Sequence, residues 1–377
     1  MKHIGKCERN YMGGGKIDFT RIEENERTRD NVIKKLKDDG LPVVIYGAGK
    51  FAKFAAIYLK ENNIPVLCFL DQERYWTPEK TIVIEGESIR CLNDALFEKE
   101  SVEYNVLLGV IDYYLLDGLK RRFRNCHYVE YLDAVPAYHM TKAFLSEHSD
   151  DLKRLYDALE DKKSGDVLEA YCYARYTGDV RPLCELKESS EWLYDWKLLN
   201  ISVEDVIVDG GSFVGDSITE IKDYLKGLLP QKIFAFEPDE RNTKKLREIF
   251  SLEEEGKICI IPSGIYSVDG IMQFSNTGTQ SSSVSDNGEI SISVQALDEH
   301  KEYHDVTVIK MDIEGSELEA LHGCKALLKR NKPRLAVCVY HNNEDIITIY
   351  EFLKQFGYRF YLRQHSMSST ETVLYAI

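Results

Sequence analysis

The first half of the chain carries short apolar runs separated by amphipathic segments. Strand-like runs lie at residues 43–46, 65–70, 82–84 and 106–110. The first of these stops at Gly47, and residues 51–60 then have helical composition. A short apolar run bounded by glycine is typical of a buried strand, and strands that alternate with helices favour a parallel sheet. We therefore expect a small Rossmann-like α/β domain over residues 1–137.

Residues 138–200 lack this alternation and are charged and aromatic. Helix-like stretches at 151–160 and 191–199 favour a helical bridge between two domains. The chain has 377 residues, which exceeds the roughly 250–300 residues at which a single hydrophobic core stops growing. We therefore predict three segments: a domain over 1–137, a bridge over 138–200 and a second domain over 201–377.

A second, clearer alternation occupies the C-terminal half. The predicted strands are 206–208, 233–236, 258–261, 307–311, 335–339, 358–362 and 373–376. The predicted helices between them are 214–225, 240–250, 316–329 and 345–356. The last two strands follow one another without a helix. This order predicts a doubly wound α/β sheet that ends in an antiparallel hairpin.

Composition and charge exclude several classes of protein. The formal charge of −15, from 63 acidic and 48 basic residues, repels phosphate backbones, so we expect no nucleic-acid partner. No apolar run approaches the ~20 residues of a membrane span, and the polar first 20 residues lack the apolar core of a signal peptide. The nine cysteines show no paired spacing. We expect a cytoplasmic protein with reduced cysteines, and its oligomeric state stays open.

The main chemical signal is a glycine-rich turn between a predicted strand and a predicted helix. It reads Asp209-Gly210-Gly211-Ser212-Phe213-Val214-Gly215. Glycines there let the backbone approach a ligand closely, although an ordinary tight turn explains the pattern equally well. The next strand ends in Glu237-Pro238, where an acidic side chain can accept hydrogen bonds from both hydroxyls of a ribose. A further strand ends at Ser263-Gly264, which chain order places beside an adenine.

The fourth strand of this series ends in Lys310-Met311-Asp312-Ile313-Glu314-Gly315-Ser316. Asp312 leaves the strand at the sheet edge where open α/β sheets bind ligands, so it is the leading functional carboxylate. Ser316 and Glu319 have the spacing of a helix capping box. Glu317 is expected to be a solvated residue at the start of the helix.

These segments resemble the FkbM family of S-adenosylmethionine-dependent methyltransferases. The resemblance rests on residues 208–216, 235–239 and 309–317 and covers about residues 200–377. It implies a class I methyltransferase sheet and O-methylation of a sugar or another small-molecule hydroxyl. It also implies that Asp209, Gly211 and Gly215 line the methionine part of the cofactor, that Glu237 holds the ribose, and that Asp312 lies between cofactor and acceptor. Phe213 stands where the commoner methyltransferase loop has its central glycine.

Methyl transfer to a hydroxyl requires a group that accepts the hydroxyl proton. His341 follows the fifth strand, and an imidazole can accept a proton at neutral pH, so His341 is the candidate base beside Asp312. The alternative is a histidine that satisfies local backbone groups. Asp312, His341 and Asn342 could also hold a divalent cation, but with no second carboxylate at this strand end we assign no metal ligands.

Two further segments could reach the acceptor. His365 precedes the last strand and is interpreted as a loop residue. Residues 277–284 are rich in serine, threonine and glycine, and they are either a lid over the site or a solvated hairpin tip.

The first domain has a nucleotide-loop pattern of its own. Gly47 and Gly49 lie in Tyr46-Gly47-Ala48-Gly49-Lys50-Phe51-Ala52, and Asp71 ends the next strand. This pattern could bind a dinucleotide, bind a nucleotide sugar, or be structural. The rival functions are therefore an NAD- or nucleotide-sugar-dependent enzyme centred on this loop, and a non-catalytic binding protein.

Overall fold

The computed structural model describes residues 19–97, 103–110, 112–123, 126–135, 138–189, 192–250, 256–275, 283–284 and 290–377. The chain divides into two compact units. One contains the described residues up to Asp157 together with Leu168–Leu183, and the other contains Ala158–Val167 and Cys184–Ile377. Among the described residues, no helix has the length and apolar character needed to cross a membrane.

The regular elements alternate as expected for an α/β protein. The strands are Val43–Tyr46 (β1), Val66–Asp71 (β2), Thr81–Ile84 (β3), Glu87–Asn93 (β4), Tyr104–Leu108 (β5), Cys126–Tyr131 (β6), Val206–Gly210 (β7), Lys232–Phe236 (β8), Ile258–Ile261 (β9), Gly264–Ile265 (β10), Gly270–Ser275 (β11), Ser283–Val284 (β12), Ile290–Gln295 (β13), Val308–Met311 (β14), Arg334–Cys338 (β15), Phe360–Gln364 (β16) and Thr372–Ala376 (β17). The helices are Thr28–Asp39 (α1), Lys50–Glu61 (α2), Asp94–Phe97 (α3), Leu115–Arg122 (α4), Lys142–Glu147 (α5), Ser149–Ala158 (α6), Lys162–Thr177 (α7), Arg181–Cys184 (α8), Asp216–Tyr224 (α9), Glu240–Ile249 (α10), Glu317–His322 (α11), Lys325–Asn331 (α12) and Asp345–Leu353 (α13).

The first unit is built on a six-stranded sheet of order β3-β4-β2-β1-β5-β6. The pairs are parallel except β3 with β4. β1 is buried along its whole length, as expected for a central parallel strand covered on both faces. One face of α2, which consists mainly of alanines, packs into the same core through Ala52, Ala55, Ala56 and Leu59. The sequence pattern did not predict β4 or β6, each of which has only two fully buried residues.

The second unit is built on a seven-stranded sheet of order β16-β17-β15-β14-β7-β8-β9. β7, β8, β9, β14 and β15 are parallel, whereas β17 is antiparallel to both of its neighbours. This arrangement confirms the doubly wound sheet with a terminal hairpin. The chain crosses from β7 to β8 on one side and later to β14 on the other. The carboxyl ends of β7 and β14 therefore form the switch point at which such sheets bind ligands.

The insertion between β9 and β14 forms a small sheet of its own, of order β10-β13-β11-β12. Ile292 and Val294 of β13 are buried and pack with Tyr266 and Met272. Residues 277–282 of the predicted lid or hairpin tip lie outside the described residues.

The predicted helix at 191–199 is wrong over its described part, because residues 192–200 form bends and turns. Side chains bind the backbone groups that a helix would use. Glu220 accepts a hydrogen bond from the Leu193 amide (2.8 Å), and Asp195 accepts one from the Leu198 amide (2.9 Å). Acidic side chains compete with the helix in this way, and the resulting turn contains Tyr194.

Candidate active site

A pocket opens at the carboxyl ends of β7, β8 and β14 in the second unit. Its wall includes Gly211, Glu237, Pro238, Gly264 and Asp312. These five of the ten predicted catalytic and cofactor residues are thus brought together around one cavity. The wall that the described residues form does not include the other five, which are Asp209, Gly210, Gly215, Ser263 and His341.

The glycine-rich turn can exist only with glycine at two of its positions. Gly211 has φ 74°, and a Cβ there would lie 1.9 Å from the carbonyl oxygen of Asp312. Gly215 has φ 91°, and a Cβ there would lie 2.4 Å from the ring of Phe250. Gly211 therefore lets two strand ends approach closely beside the pocket, whereas Gly215 lets the start of α9 pack on the core.

The side chain of Lys310 binds the backbone of this glycine-rich turn. Its Nζ donates to the carbonyl oxygens of Gly210 (3.0 Å) and Gly211 (2.8 Å) and lies 3.1 Å from Asp209 Oδ1. Ser217 donates to the other Asp209 oxygen (2.6 Å), and Asp209 is 1% exposed. Burial by itself lowers the pKa of Lys310, but Asp209 and Asp312 raise it by more, so Lys310 keeps its positive charge. Asp209 therefore fixes the turn from behind the pocket wall.

Glu237 presents a fixed carboxylate to the pocket. Its Oε1 accepts a hydrogen bond from the Asp239 amide (2.8 Å) and its Oε2 accepts one from the Phe213 amide (2.9 Å). Burial raises the pKa of Glu237 to about 7 although these hydrogen bonds lower it. Oε1 also accepts a long hydrogen bond from Asn242 (3.5 Å), whereas Oε2 keeps a lone pair for a further donor. Asp239 caps α10 by accepting from the Arg241 amide (2.7 Å) and so holds the same loop in place.

The wall beside Glu237 is apolar. It is formed by Gly264 and Ile265 of β10 with Ile292 and Val294 of β13. Ser263 is buried next to it and donates to the Gly264 carbonyl oxygen (3.3 Å). A flat aromatic ring can be buried on such a surface. The insertion therefore supplies part of the pocket, which the sequence pattern did not indicate.

Asp312 faces the opposite end of the pocket and is bound by two tyrosines. Tyr194 donates to Oδ2 (3.3 Å) and Tyr340 donates to Oδ1 (3.1 Å). Burial and Asp312 raise the pKa of both phenols well above their usual value, so both remain donors. The Tyr340 hydroxyl also lies 3.4 Å from Glu371 Oε1. Burial and Asp312 raise the pKa of Glu371 in turn, so this wall carries two linked carboxyl groups.

His341 lies next to Asp312 in a buried cluster with Glu317. Its Nε2 is 3.4 Å from Asp312 Oδ1 and 3.6 Å from Glu314 Oε2, and its Nδ1 is 3.1 Å from Glu317 Oε1. Burial lowers the pKa of His341, but these carboxylates raise it by more, to about 10. An imidazole in this state is protonated at neutral pH and has no lone pair with which to accept a proton.

Two expectations around this cluster are wrong. Glu317 is buried at 1% exposure rather than solvated, and its Oε1 accepts from the Ile313 amide (2.8 Å). Ser316 precedes α11 but makes no side-chain capping hydrogen bond among the described residues. Glu317, the first residue of α11, thus binds the loop after β14, and the predicted Ser316 cap does not form. Asn342 is engaged elsewhere, with Asp345 at the start of α13.

Three non-glycine residues of the wall have left-handed backbone conformations: Phe213 (φ 48°), Glu314 (φ 59°) and Glu371 (φ 57°). Such conformations cost of order 1–3 kcal/mol and persist only where surrounding structure enforces them. Their concentration at one pocket is typical of a functional site.

His365 is a buried residue in the terminal hairpin, with its Nε2 2.9 Å from the Tyr375 hydroxyl and its Nδ1 3.3 Å from the Trp192 carbonyl oxygen. Burial lowers its pKa to about 4. These contacts explain it as a neutral structural residue.

The nucleotide-loop pattern of the first unit also lies at a carboxyl edge of its sheet. Gly47 has φ 113°, and a Cβ there would lie 2.7 Å from Val110. Gly49 precedes α2 and has open space around it. Asp71 is ion-paired with Lys80 (2.6 Å) and accepts from the Gln72 amide (2.9 Å). The close packing of Gly47 fits the structural interpretation as well as the ligand-binding ones.

Comparison with known proteins identifies a similarity within the second unit. Residues 219–360 match the family model described as the methyltransferase FkbM domain. Over this segment the second unit is similar to FkbM methyltransferases. The match spans Glu237, Asp312 and His341, while the glycine-rich turn precedes it and Glu371 follows it. A search of curated proteins finds no match.

A solved structure of methyltransferase FkbM from Methylobacillus flagellatus KT is similar over 92% of this chain and 93% of that chain, with a TM-score of 0.66 and 20% identity. This likeness shows the fold. Weaker similarities, both with a TM-score of 0.31 and 12% identity, are to precorrin-6y C5,15-methyltransferase from Geobacter metallireducens GS-15 (48% of this chain, 83% of that chain) and to Aeropyrum pernix fibrillarin with bound S-adenosyl-L-methionine (46% and 66%).

The candidate site contains residues that sequence reasoning missed, namely Tyr194, Lys310, Glu317, Tyr340 and Glu371. Lys310 and Tyr340 had a signal, because each is a neighbour or near neighbour of a predicted residue at a strand end. Tyr194 and Glu371 lie in turns distant along the chain from Asp312, so only the folded structure brings them to it.

Proposed function

We propose that the chain transfers the methyl group of S-adenosylmethionine to a hydroxyl of a sugar or another small molecule. The observation that carries this proposal is the Glu237 carboxylate, held by the amides of Asp239 and Phe213 at a pocket whose other end carries Asp312. An acidic group at this strand end is the partner expected for ribose hydroxyls.

The residues that line the pocket offer a contact for each part of S-adenosylmethionine. Glu237 would bind the ribose, the apolar surface of Ile265, Ile292 and Val294 would bury the adenine, and the close approach at Gly211 would admit the methionine part. The cofactor supplies a methyl group that is already activated by a sulfonium. The chain therefore needs only to align the acceptor and take up its proton.

We assign the proton-accepting role to the carboxyl groups of Asp312 and Glu371 rather than to His341. Both carboxyl groups face the pocket, whereas His341 is buried behind them and protonated. A carboxylate whose pKa is raised, as burial raises that of Glu371, is a stronger base at neutral pH. The tyrosine hydroxyls on Asp312 fix its orientation toward the acceptor.

The first test is calorimetric titration of the full chain with S-adenosylmethionine, S-adenosylhomocysteine and NAD. We expect binding of the first two, and we expect Glu237→Gln to weaken it by about 1–3 kcal/mol, the usual range for hydrogen bonds to a charged group. Glu240→Gln is the matched control, because Glu240 is an exposed carboxylate three residues away. Binding of NAD without S-adenosylmethionine would instead favour a nucleotide site at Gly47, Gly49 and Asp71.

The acceptor is tested by a screen of monosaccharides, nucleotide sugars and other hydroxylated compounds for release of S-adenosylhomocysteine. Methylation at nitrogen or carbon in place of oxygen would contradict the acceptor class while leaving the methyltransferase activity intact.

A further inference from the structure

A carboxylate–histidine cluster of Asp312, Glu317 and His341 lies beside the proposed acceptor end of the pocket. It is assembled from the ends of β14 and β15 and the first residue of α11. One ligand atom from each side chain lies within 4.8 Å of the others. Carboxylate oxygens and an imidazole nitrogen are together a donor set for a divalent metal ion.

In the described part of the chain, three polar atoms of this cluster, on His341 and Glu317, are buried without a hydrogen bond of acceptable geometry. The His341 side chain is 7% exposed and that of Glu317 is 1% exposed. Neither ring nitrogen of His341 has a hydrogen-bond partner of acceptable geometry among the described residues, and the same holds for Glu317 Oε2. A buried polar atom without a partner destabilises the folded state, because it has lost its hydration without gaining a hydrogen bond. Three such atoms on two adjoining side chains point to a ligand that they share.

The charges around this cluster give an independent reason to expect a bound cation. Asp312 and Glu317 bring two carboxylates together, and Glu314 adds a third 3.6 Å from His341. The nearby ammonium of Lys310 is already bound to Asp209 and two carbonyl oxygens. A metal ion bound here would compensate these carboxylates in place of the proton that His341 otherwise carries.

We propose that Asp312, Glu317 and His341 bind a divalent transition-metal ion such as Mn²⁺ or Zn²⁺. One ligand atom from each side chain lies within 4.8 Å of the other two, and side-chain rotation would bring these atoms to the roughly 3–3.5 Å between neighbouring ligands of an ion whose bonds are about 2.1 Å long. The imidazole favours Mn²⁺ or Zn²⁺ over Ca²⁺. Whichever ring nitrogen binds the ion, the other keeps a carboxylate oxygen within 3.6 Å, which orients the ring.

The proposed metal site consists of side chains of this chain. Its metal binding can therefore be tested whether or not the chain transfers methyl groups. Because Asp312 belongs both to the cluster and to the pocket wall, the ion would be placed where it can bind or polarise an acceptor hydroxyl.

The experiment is a Mn²⁺ titration of the full chain after treatment with a chelator, followed by electron paramagnetic resonance of free Mn²⁺. We expect one saturable site per chain, and we expect Zn²⁺ but not Ca²⁺ to compete for it. Glu317→Gln and His341→Gln should each weaken binding by more than about tenfold, since loss of even an outer partner of a metal ligand costs that much. Glu319→Gln should leave it unchanged, because Glu319 is exposed on the same helix.

Absence of saturable Mn²⁺ or Zn²⁺ binding to the wild-type chain would overturn the proposal, as would equal affinity in the folded Glu317→Gln variant. His341 would then be an imidazolium paired with its carboxylates. S-Adenosylmethionine titration in the absence of metal separates the two proposals, because Glu237→Gln should weaken cofactor binding while leaving Mn²⁺ binding intact.

Discussion

At the scale of single residues, Glu237 couples cofactor binding to pH. Burial places its pKa at about 7, so it is partly protonated in the free protein at neutral pH. Ribose hydroxyls donate hydrogen bonds, and an ionised carboxylate accepts them better than a protonated one. Cofactor binding should therefore favour the ionised form and become weaker as the pH falls.

We expect the affinity for S-adenosylhomocysteine to fall about tenfold from pH 8 to pH 6, as one group with a pKa near 7 dictates when only its ionised form binds. The measurement is calorimetry of the wild-type chain and of Glu237→Gln over this range. The variant should bind more weakly at pH 8 and lose this part of the pH dependence. Parallel profiles in the two proteins would show that another group titrates.

The carboxyl groups of Asp312 and Glu371 should be separable from cofactor binding by their effect on turnover. Asp312→Asn removes the acceptor of two tyrosine hydroxyl groups, and Glu371→Gln removes the carboxyl group with the raised pKa. We expect each to lower kcat by roughly 10²–10⁴, the usual contribution of general-base catalysis. The check is steady-state kinetics with the acceptor found in the screen, together with cofactor titration. A loss confined to cofactor affinity would contradict the assigned role.

The sequence predicted the positions of site residues correctly where the order of strands along the chain was enough to locate them. Glu237 and Asp312 follow β8 and β14, the two parallel strands that flank β7, so a strand assignment alone placed them at one edge of the sheet. It failed for Glu317, because the residue after a predicted N-cap looks solvated until a buried histidine from another strand packs against it. It failed for Glu371 for the same reason, since nothing local to the terminal hairpin shows that its turn reaches β14.

At the scale of elements, the Lys310–Asp209 pair joins β14 to the glycine-rich turn after β7. Lys310 also binds two carbonyl groups of that turn. The pair is buried, and removing one partner leaves the other charge uncompensated. The turn is therefore held by an interaction that the apolar pattern of the two strands does not reveal.

We expect Lys310→Met to destabilise the second unit by about 3–5 kcal/mol, the usual cost of breaking a buried ion pair. Urea unfolding provides the measurement, with the exposed Lys329→Met as the matched control. The Asp209→Asn/Lys310→Met double variant should lose less stability than the two single variants lose together, because neither charge is then left uncompensated. Additive losses would mean that the two side chains act independently.

Elements were predictable where their pattern was strong. The strands of the second sheet are nearly continuous apolar runs, as buried parallel strands must be, and the final pair lacked room for a helix and formed the hairpin. The turn at 192–200 was not predictable, because its helical composition is overridden by hydrogen bonds to Glu220 and Asp195. Nor was the small sheet of β10 to β13, whose strands pair across an insertion.

At the scale of the whole molecule, two units each carry a glycine-rich turn and an acidic strand end. Without the resemblance of the second half to a methyltransferase family, the glycine and acidic pattern alone does not show which unit binds a ligand. The structures of the two turns differ: Gly211 allows two strand ends to meet beside an open pocket, whereas Gly47 packs against Val110. We therefore propose that the second unit binds the cofactor and that this binding does not involve a ligand in the first unit.

Hydrogen–deuterium exchange of the full chain with and without S-adenosylhomocysteine tests this division. A ligand that binds only the native state stabilises it by about 2.7 kcal/mol at a hundredfold excess over Kd, and the added protection appears where the bound segments would otherwise open. We expect slower exchange at residues 209–216 and 237–242 and unchanged exchange at 46–52. Asp71→Asn should give the same result, because Asp71 belongs to the other unit. Slower exchange at 46–52 on addition of NAD would instead identify a second nucleotide site in the first unit.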